Sequence, residues 1–139
     1  PITIYKNPKT PFVAQFIGTS TILESLSGFK GYGDIPEGKK VIVRPEFVEA
    51  FKSDNKKFAS LMDAVEEGVI ENVVFRGSYL ELTLSVNGVR LTTNRSLERR
   101  HVDIGEKMCV LLYRAYLFDE EGAEIRKNQL LKGIDVEAL

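Results

Sequence analysis

The sequence has no tryptophan, a single cysteine and a single histidine. One cysteine, Cys109, cannot form an internal disulfide, so nothing points to an oxidising compartment. One histidine with one cysteine cannot build a zinc site of the His/Cys type. Charge of one sign is also missing. Lys+Arg 19 against Asp+Glu 20 leaves a formal net charge of -1, which argues against a dedicated nucleic-acid binder resting on excess positive charge. No apolar run approaches the roughly 20 residues that span a bilayer, and no basic-then-apolar signal segment follows Pro1. A chain that starts at Pro1 rather than Met reads as a piece of a longer polypeptide. Its 139 residues fit one domain with a short appendage. With 43% hydrophobic and 28% charged residues it can bury a core.

Motifs of common chemistry are absent too. Gly31-Tyr32-Gly33 lacks the third glycine of a dinucleotide loop, and no Gly-Lys-Ser/Thr or G-x-S-x-G occurs. His101 lies in the charged stretch Glu98-Arg99-Arg100-His101, with no nucleophile motif to serve as a base. Cys109 is mid-strand among apolar neighbours and reads as an inert core residue. Asp119-Glu120-Glu121 could hold Ca²⁺ but lacks the ligand spacing of an EF-hand loop, so an acidic turn is the commoner reading.

What is present is mostly strand signal. Val41-Ile42-Val43 is a short β-branched strand stopped by Pro45. On Val69–Arg76 the alternation places Val69, Glu71, Val73 and Phe75 on one face and Ile70, Asn72, Val74 and Arg76 on the other. Arg76-Gly77-Ser78 reads as a turn or bulge. Leu80, Leu82, Leu84 and Val86 then alternate with polar residues up to Asn87-Gly88, a strong hairpin signal. A two-residue turn there pairs Val86 with Val89, Leu84 with Leu91 and Leu82 with Thr93, and a one-residue slip would expose the apolar row. Gly105-Glu106 is a further turn before one long apolar strand, Lys107 to Phe118. In that strand Met108, Val110 and Leu112 oppose Cys109, Leu111 and Tyr113. Phe58, Leu61, Met62 and Val65 have helical spacing, and residues after Glu124 add a strand around Ile125 or a trailing helix. Short strands with glycine turns and no βαβ alternation indicate an all-β class, a small barrel or sandwich.

The opening differs. Two short helix-like pieces flank Asn7-Pro8. The second has Thr10 as N-cap, Pro11 at the first helical position and Phe12, Val13, Phe16 and Ile17 on one side, with Gly18 ending it. That apolar side either covers this chain's own barrel or docks on a neighbouring domain. Arg44 and Glu46 around Pro45 are functional charges or a structural pair. Arg95, Arg99 and Arg100 form a candidate anion patch, or a solvated loop.

Three stretches together resemble the ATP-binding subunits of bacterial ABC importers. Tyr5-x-x-Pro8, Phe12-Val13-Ala14 and Phe16-Ile17-Gly18 resemble their junction segment. Val43-Arg44-Pro45-Glu46 resembles the element that follows. Val73-x-Phe75-Arg76-Gly77, the glycine hairpin and Gly105-Glu106 resemble the rest of the C-terminal TOBE domain, a transport-associated OB-fold. Two departures, Thr21 where the family often has Asn and a longer insertion at Lys52–Ala64, bear on the transporter subfamily.

The resemblance implies an OB-like barrel at 19–139, preceded at 1–18 by the end of an ATPase domain and linker helices. It makes Tyr5, Phe12, Phe16 and Ile17 the apolar seam to that domain, and Arg44, Pro45, Glu46, Phe75, Arg76 and Gly77 a structural motif. The P-loop, signature motif and switch histidine would precede this chain. ATP and Mg would then belong to the parent protein, and this stretch by itself would neither bind nor hydrolyse ATP. Implied partners are the chain's own ATPase domain, a second copy of the subunit, and a permease at the inner face of the membrane. Two alternatives stay open: an OB-fold for single-stranded nucleic acid, with Tyr79 as a stacking platform, and a small-anion sensor at Arg95, Arg99 and Arg100.

Overall fold

The computed structural model describes residues 5–6 and 20–134. Among these described residues ten strands form two antiparallel sheets. One has the order β1-β10-β9-β3-β2 and the other β4-β8-β5-β6-β7. The strands are β1 (Tyr5–Lys6), β2 (Thr21–Leu23), β3 (Lys40–Val43), β4 (Val48–Phe51), β5 (Glu66–Phe75), β6 (Tyr79–Val86), β7 (Val89–Ser96), β8 (Lys107–Leu112), β9 (Arg114–Asp119) and β10 (Gly122–Lys127).

Two chain segments run from one sheet into the other. Pro45, which cannot extend a strand ladder, opens a short 3-10 turn, Pro45–Phe47, between β3 and β4. The expected single strand from Lys107 to Phe118 breaks at Tyr113 into β8 and β9. Both bends fall at one level, where Tyr113 N–H donates to the Phe47 carbonyl at 2.8 Å. At the far edges, the Thr21 hydroxyl donates to the Arg90 carbonyl at 3.1 Å and ties β2 to β7. The result is a nearly closed all-β barrel of OB-like form.

The hairpin register is as the sequence dictates: Val86 opposes Val89, Leu84 opposes Leu91 and Leu82 opposes Thr93. Asn87 and Gly88 have φ of 51° and 82°, the pair of positive angles a two-residue type I′ turn requires. Met108, Val110 and Leu112 join Leu82, Leu84, Leu91, Val41 and Leu117 in the interior. Cys109, Leu111 and Tyr113 face outward, where Phe51, Phe58, Leu61 and Leu131 make a second core. A 3-10 helix, Lys56–Ala64, capped by the Asn55 side chain, lays Phe58 on Phe51 with ring centroids 4.2 Å apart. Residues 52–55 form the polar turn before it.

Two further sequence expectations change. The strict alternation along β5 fails because the ladder with β6 shifts between Ile70 and Asn72. This bulge at Glu71 inserts one residue, so Ile70 and Val73 both reach the interior, although simple alternation separates them. Tyr5–Lys6 is a two-residue strand on β10 rather than part of a helix-like piece; the segment with Thr10, Pro11, Phe12, Phe16 and Ile17 lies outside the described residues. The glycine-containing connection 24–39 is irregular yet anchored, because it buries Leu26, Phe29 and Tyr32. After β3's partner β9, the chain turns at Glu120-Glu121 and returns as β10 through Ile125, so the strand alternative holds there.

Candidate functional site

The Arg44-Pro45-Glu46 element lies at the sheet-to-sheet bend. Arg44 Nε donates to Glu46 Oε2 at 3.2 Å, and its Nη1 to the Ser20 hydroxyl at 3.4 Å. Across the bend the Thr93 hydroxyl, buried at the end of the hairpin row, donates to the Val48 carbonyl at 2.5 Å, with the Pro45 carbonyl at 3.3 Å. That pairing explains a threonine in an otherwise apolar row. Phe75-Arg76-Gly77 caps the β5–β6 hairpin. Gly77 has φ +92°, Arg76 N–H donates to the Tyr79 carbonyl, and Arg76 Nη2 meets Glu81 Oε2 at 3.2 Å. That hydrogen bond to Glu81 raises the Arg76 pKa. Phe75 stands 65% exposed beside this turn. The two halves of the motif occupy different places in the barrel rather than one site.

Arg95, Arg99 and Arg100 are each already engaged. Arg95 is only 3% exposed. Its Nε and Nη2 donate to the Arg100 carbonyl at 3.2 and 3.0 Å, and Nη1 to the Ala50 carbonyl at 3.4 Å. Burial first, then the neighbouring Arg99 charge, lowers its pKa. Arg99 Nη1 pairs with Glu49 Oε2 at 2.6 Å and Arg100 Nη2 with Asp54 Oδ1 at 2.7 Å. The Arg100 hydrogen bond holds the Asp54 carboxyl below the ordinary carboxylate range. An anion would have to displace a carboxylate or break the Arg95 clamp that ties loop 97–102 to β4. Lys52 pairs with Glu106 and His101 Nε2 with Asp103 Oδ1 beside the same loop.

The other reactive groups are quiet. Burial pushes the Cys109 thiol pKa up. In the acidic turn, Asp119 Oδ1 accepts the Glu121 and Gly122 N–H groups, so its carboxylate serves the backbone. Among the described residues no three His, Cys, Asp or Glu side chains come together as a metal-binding group. No helix among them is long and apolar enough to cross a membrane. Tyr79 opens β6 opposite Ser96.

One cleft has a lining the sequence reading missed. It holds about 340 Å³ between the β8–β9 bend, the end of β10 and the turn beyond it. Arg114, Lys127 and Lys132 line it, with Tyr113, Leu131 and Ile134 as its apolar part. Asn128 fixes its floor: 3% exposed, it donates from Nδ2 to the Leu112 carbonyl at 3.0 Å and accepts Leu130 N–H at 2.9 Å. The signal was countable. A two-residue turn at Glu120-Glu121 pairs Asp119 with Gly122, and counting back puts Arg114 opposite Lys127.

No family model matches the chain. It is 27% identical over 127 residues to the spermidine/putrescine import ATP-binding protein PotA of Borrelia garinii subsp. bavariensis, covering 81% of this chain and 33% of that protein. It is 30% identical over 105 residues to PotA of Clostridium novyi, covering 63% of this chain and 27% of that protein. Against PotA of Clostridium acetobutylicum the identity is 27% over 126 residues, covering 78% and 32% respectively. The chain thus spans about a third, or less, of the curated relatives it matches. The similarity joins an OB-like barrel to import ATP-binding proteins, and it runs through most of the barrel's length.

Proposed function

We propose that this chain is the TOBE-like accessory barrel of an ABC importer's ATP-binding subunit. The observation that carries the reading is the similarity over most of this chain to proteins named for ATP-driven import, each of which is about three times longer than the matched stretch. The Val43-Arg44-Pro45-Glu46 and Phe75-Arg76-Gly77 elements support it, because both serve barrel geometry: a sheet-to-sheet bend and a hairpin turn. In this reading the ATP and Mg sites belong to an ATPase lobe elsewhere in the parent polypeptide. Residues 1–18 join that lobe to the barrel, with Tyr5, Phe12, Phe16 and Ile17 at the seam. Partners are the lobe, a second subunit and a permease on the cytoplasmic face of the membrane. The relatives' names supply the solute class, a polyamine.

The test is deletion of the barrel from the native polypeptide. ATP hydrolysis by the remainder should persist while spermidine uptake loses its normal coupling to it. A native polypeptide that hydrolyses no ATP would contradict the reading.

A further inference from the structure

The loop from Leu97 to Glu106 joins β7 to β8 and passes the end of β4 on the way. Its far end is pinned by backbone: Gly105 N–H donates to the Ile70 carbonyl at 2.7 Å, and Ile70 N–H to the Glu106 carbonyl at 2.9 Å. At the near end the Glu98 and Arg99 N–H groups donate back to Ser96, the last residue of β7. Between those pins, every hydrogen bond or ion pair that residues 97–104 make outside the loop has a charged side chain in it. Arg99 Nη1 reaches Glu49 on β4, Arg100 Nη2 reaches Asp54 in the turn after β4, and Arg95 holds the Arg100 carbonyl. His101 pairs within the loop itself, with Asp103. Apolar fastening is slight. Val102 is the loop's single buried side chain and joins the barrel core, whereas Leu97 and Ile104 stand 47% and 64% exposed.

We propose that 97–106 is a strap latched by charge, which ionic strength releases from the end of the barrel while the barrel stays folded. The Arg99–Glu49 and Arg100–Asp54 pairs stand partly in water, where salt screens them. The Arg95 bonds respond differently. Arg95 is buried and donates to neutral carbonyls, so it persists as the seat to which the strap returns. Lifting the strap exposes Val102 and leaves the strand ladders intact, which makes it a local opening rather than a loss of the fold. Release uncovers the apolar seat of Val102 at this end of the barrel. The device does not rest on the transport reading, because the barrel alone contains it.

Thiol labelling of the 139-residue chain tests the strap. In a Cys109→Ser background, Val102→Cys places a thiol under the strap, and Val86→Cys places one in the core on β6. Neutral iodoacetamide reaches the first when the strap lifts and the second only on global unfolding. From 0.01 M to 1 M NaCl the Debye length falls from about 30 Å to about 3 Å. The rate at Val102→Cys should rise about fivefold over that range, and that at Val86→Cys should stay slow and unchanged. Arg99→Gln and Arg100→Gln should each raise the low-salt rate at Val102→Cys about threefold and flatten its salt response. Lys40→Gln, which breaks the Lys40–Glu24 pair elsewhere on the surface, should leave it unchanged. Circular dichroism establishes that each variant is folded. The unaltered chain supplies a second reading. Tryptic cleavage after Arg99 and Arg100 should quicken over the same salt range, relative to cleavage of an unfolded peptide of that stretch. Equal labelling rates at the two buried thiols overturn the proposal, and so does a Val102→Cys rate or a relative cleavage rate that salt leaves unchanged.

Discussion

Gly68 shows at one residue how tightly the barrel closes. A Cβ there would lie 2.7 Å from Val110 Cγ2 and 3.0 Å from Val86 Cγ2, the side chains of the neighbouring strands β8 and β6. Both are valines, whose β-branching leaves little rotamer freedom to give way. Gly68→Ala should therefore lower stability by about 1–3 kcal/mol through overpacking, even though alanine is favoured over glycine in a strand by about 0.5–1 kcal/mol. A lower urea midpoint with unchanged slope is the expected result; an unchanged midpoint would show that the interior has slack. Two tyrosines carry a second residue-scale consequence. Burial raises the hydroxyl pKa of Tyr32, which donates to the Leu112 carbonyl at 2.9 Å, and burial likewise raises that of Tyr113. A folded-state pKa above the unfolded value near 10 means the unfolded state loses its proton first as pH rises. Stability from these groups is thus full below about pH 10 and declines above it. In an alkaline titration followed by tyrosinate absorbance, Tyr32 should ionise only with unfolding, and the half-buried Tyr113 later than an exposed tyrosine. Ionisation of Tyr32 in the intact fold would contradict its burial.

At the scale of elements, the β6–β7 hairpin was fully legible, because period-two alternation and Asn87-Gly88 specify the same register. Gly88 has open space around its missing Cβ, so Gly88→Ala isolates the backbone cost of φ +82°, about 1–2 kcal/mol. Asn87→Gly keeps the turn and removes the side-chain bonds to the Gly28 carbonyl and Glu66 Oε1, a smaller loss of about 1 kcal/mol. Thermal unfolding of both should rank them in that order; the reverse order would mean that the side-chain latch stabilises the hairpin more than the turn geometry does. The β5 alternation misled for a local reason. A bulge at Glu71 leaves no mark in composition, since Glu71 and Asn72 are both polar and either could face solvent. The 3-10 helix was visible only as apolar spacing at Phe58 and Leu61. That spacing does not distinguish 3-10 from α winding, and the stacking of Phe58 on Phe51, seven residues earlier, leaves no periodic mark.

At the scale of the whole molecule, the all-β class was readable from strand and turn signals, but closure was not. It depends on Pro45 and Tyr113 bending at one level and on the Thr21–Arg90 bond between distant edges. Candidate sites were less legible, because charges adjacent in sequence are separated by partners in space. Arg95, Arg99 and Arg100 look like a patch in the chain, yet one is buried and two are paired. Arg114, Lys127 and Lys132 are scattered in the chain and meet in one cleft. The central claim concerns what the barrel is attached to. Photoaffinity labelling with an ATP analogue, on the native polypeptide captured by an antibody to this barrel, tests it most directly. Label on a polypeptide about two and a half times this chain's length, as the relatives' lengths imply, is the predicted result. An antibody-captured polypeptide that takes no label, with an unrelated ATP-binding protein labelled in the same sample, would contradict the account.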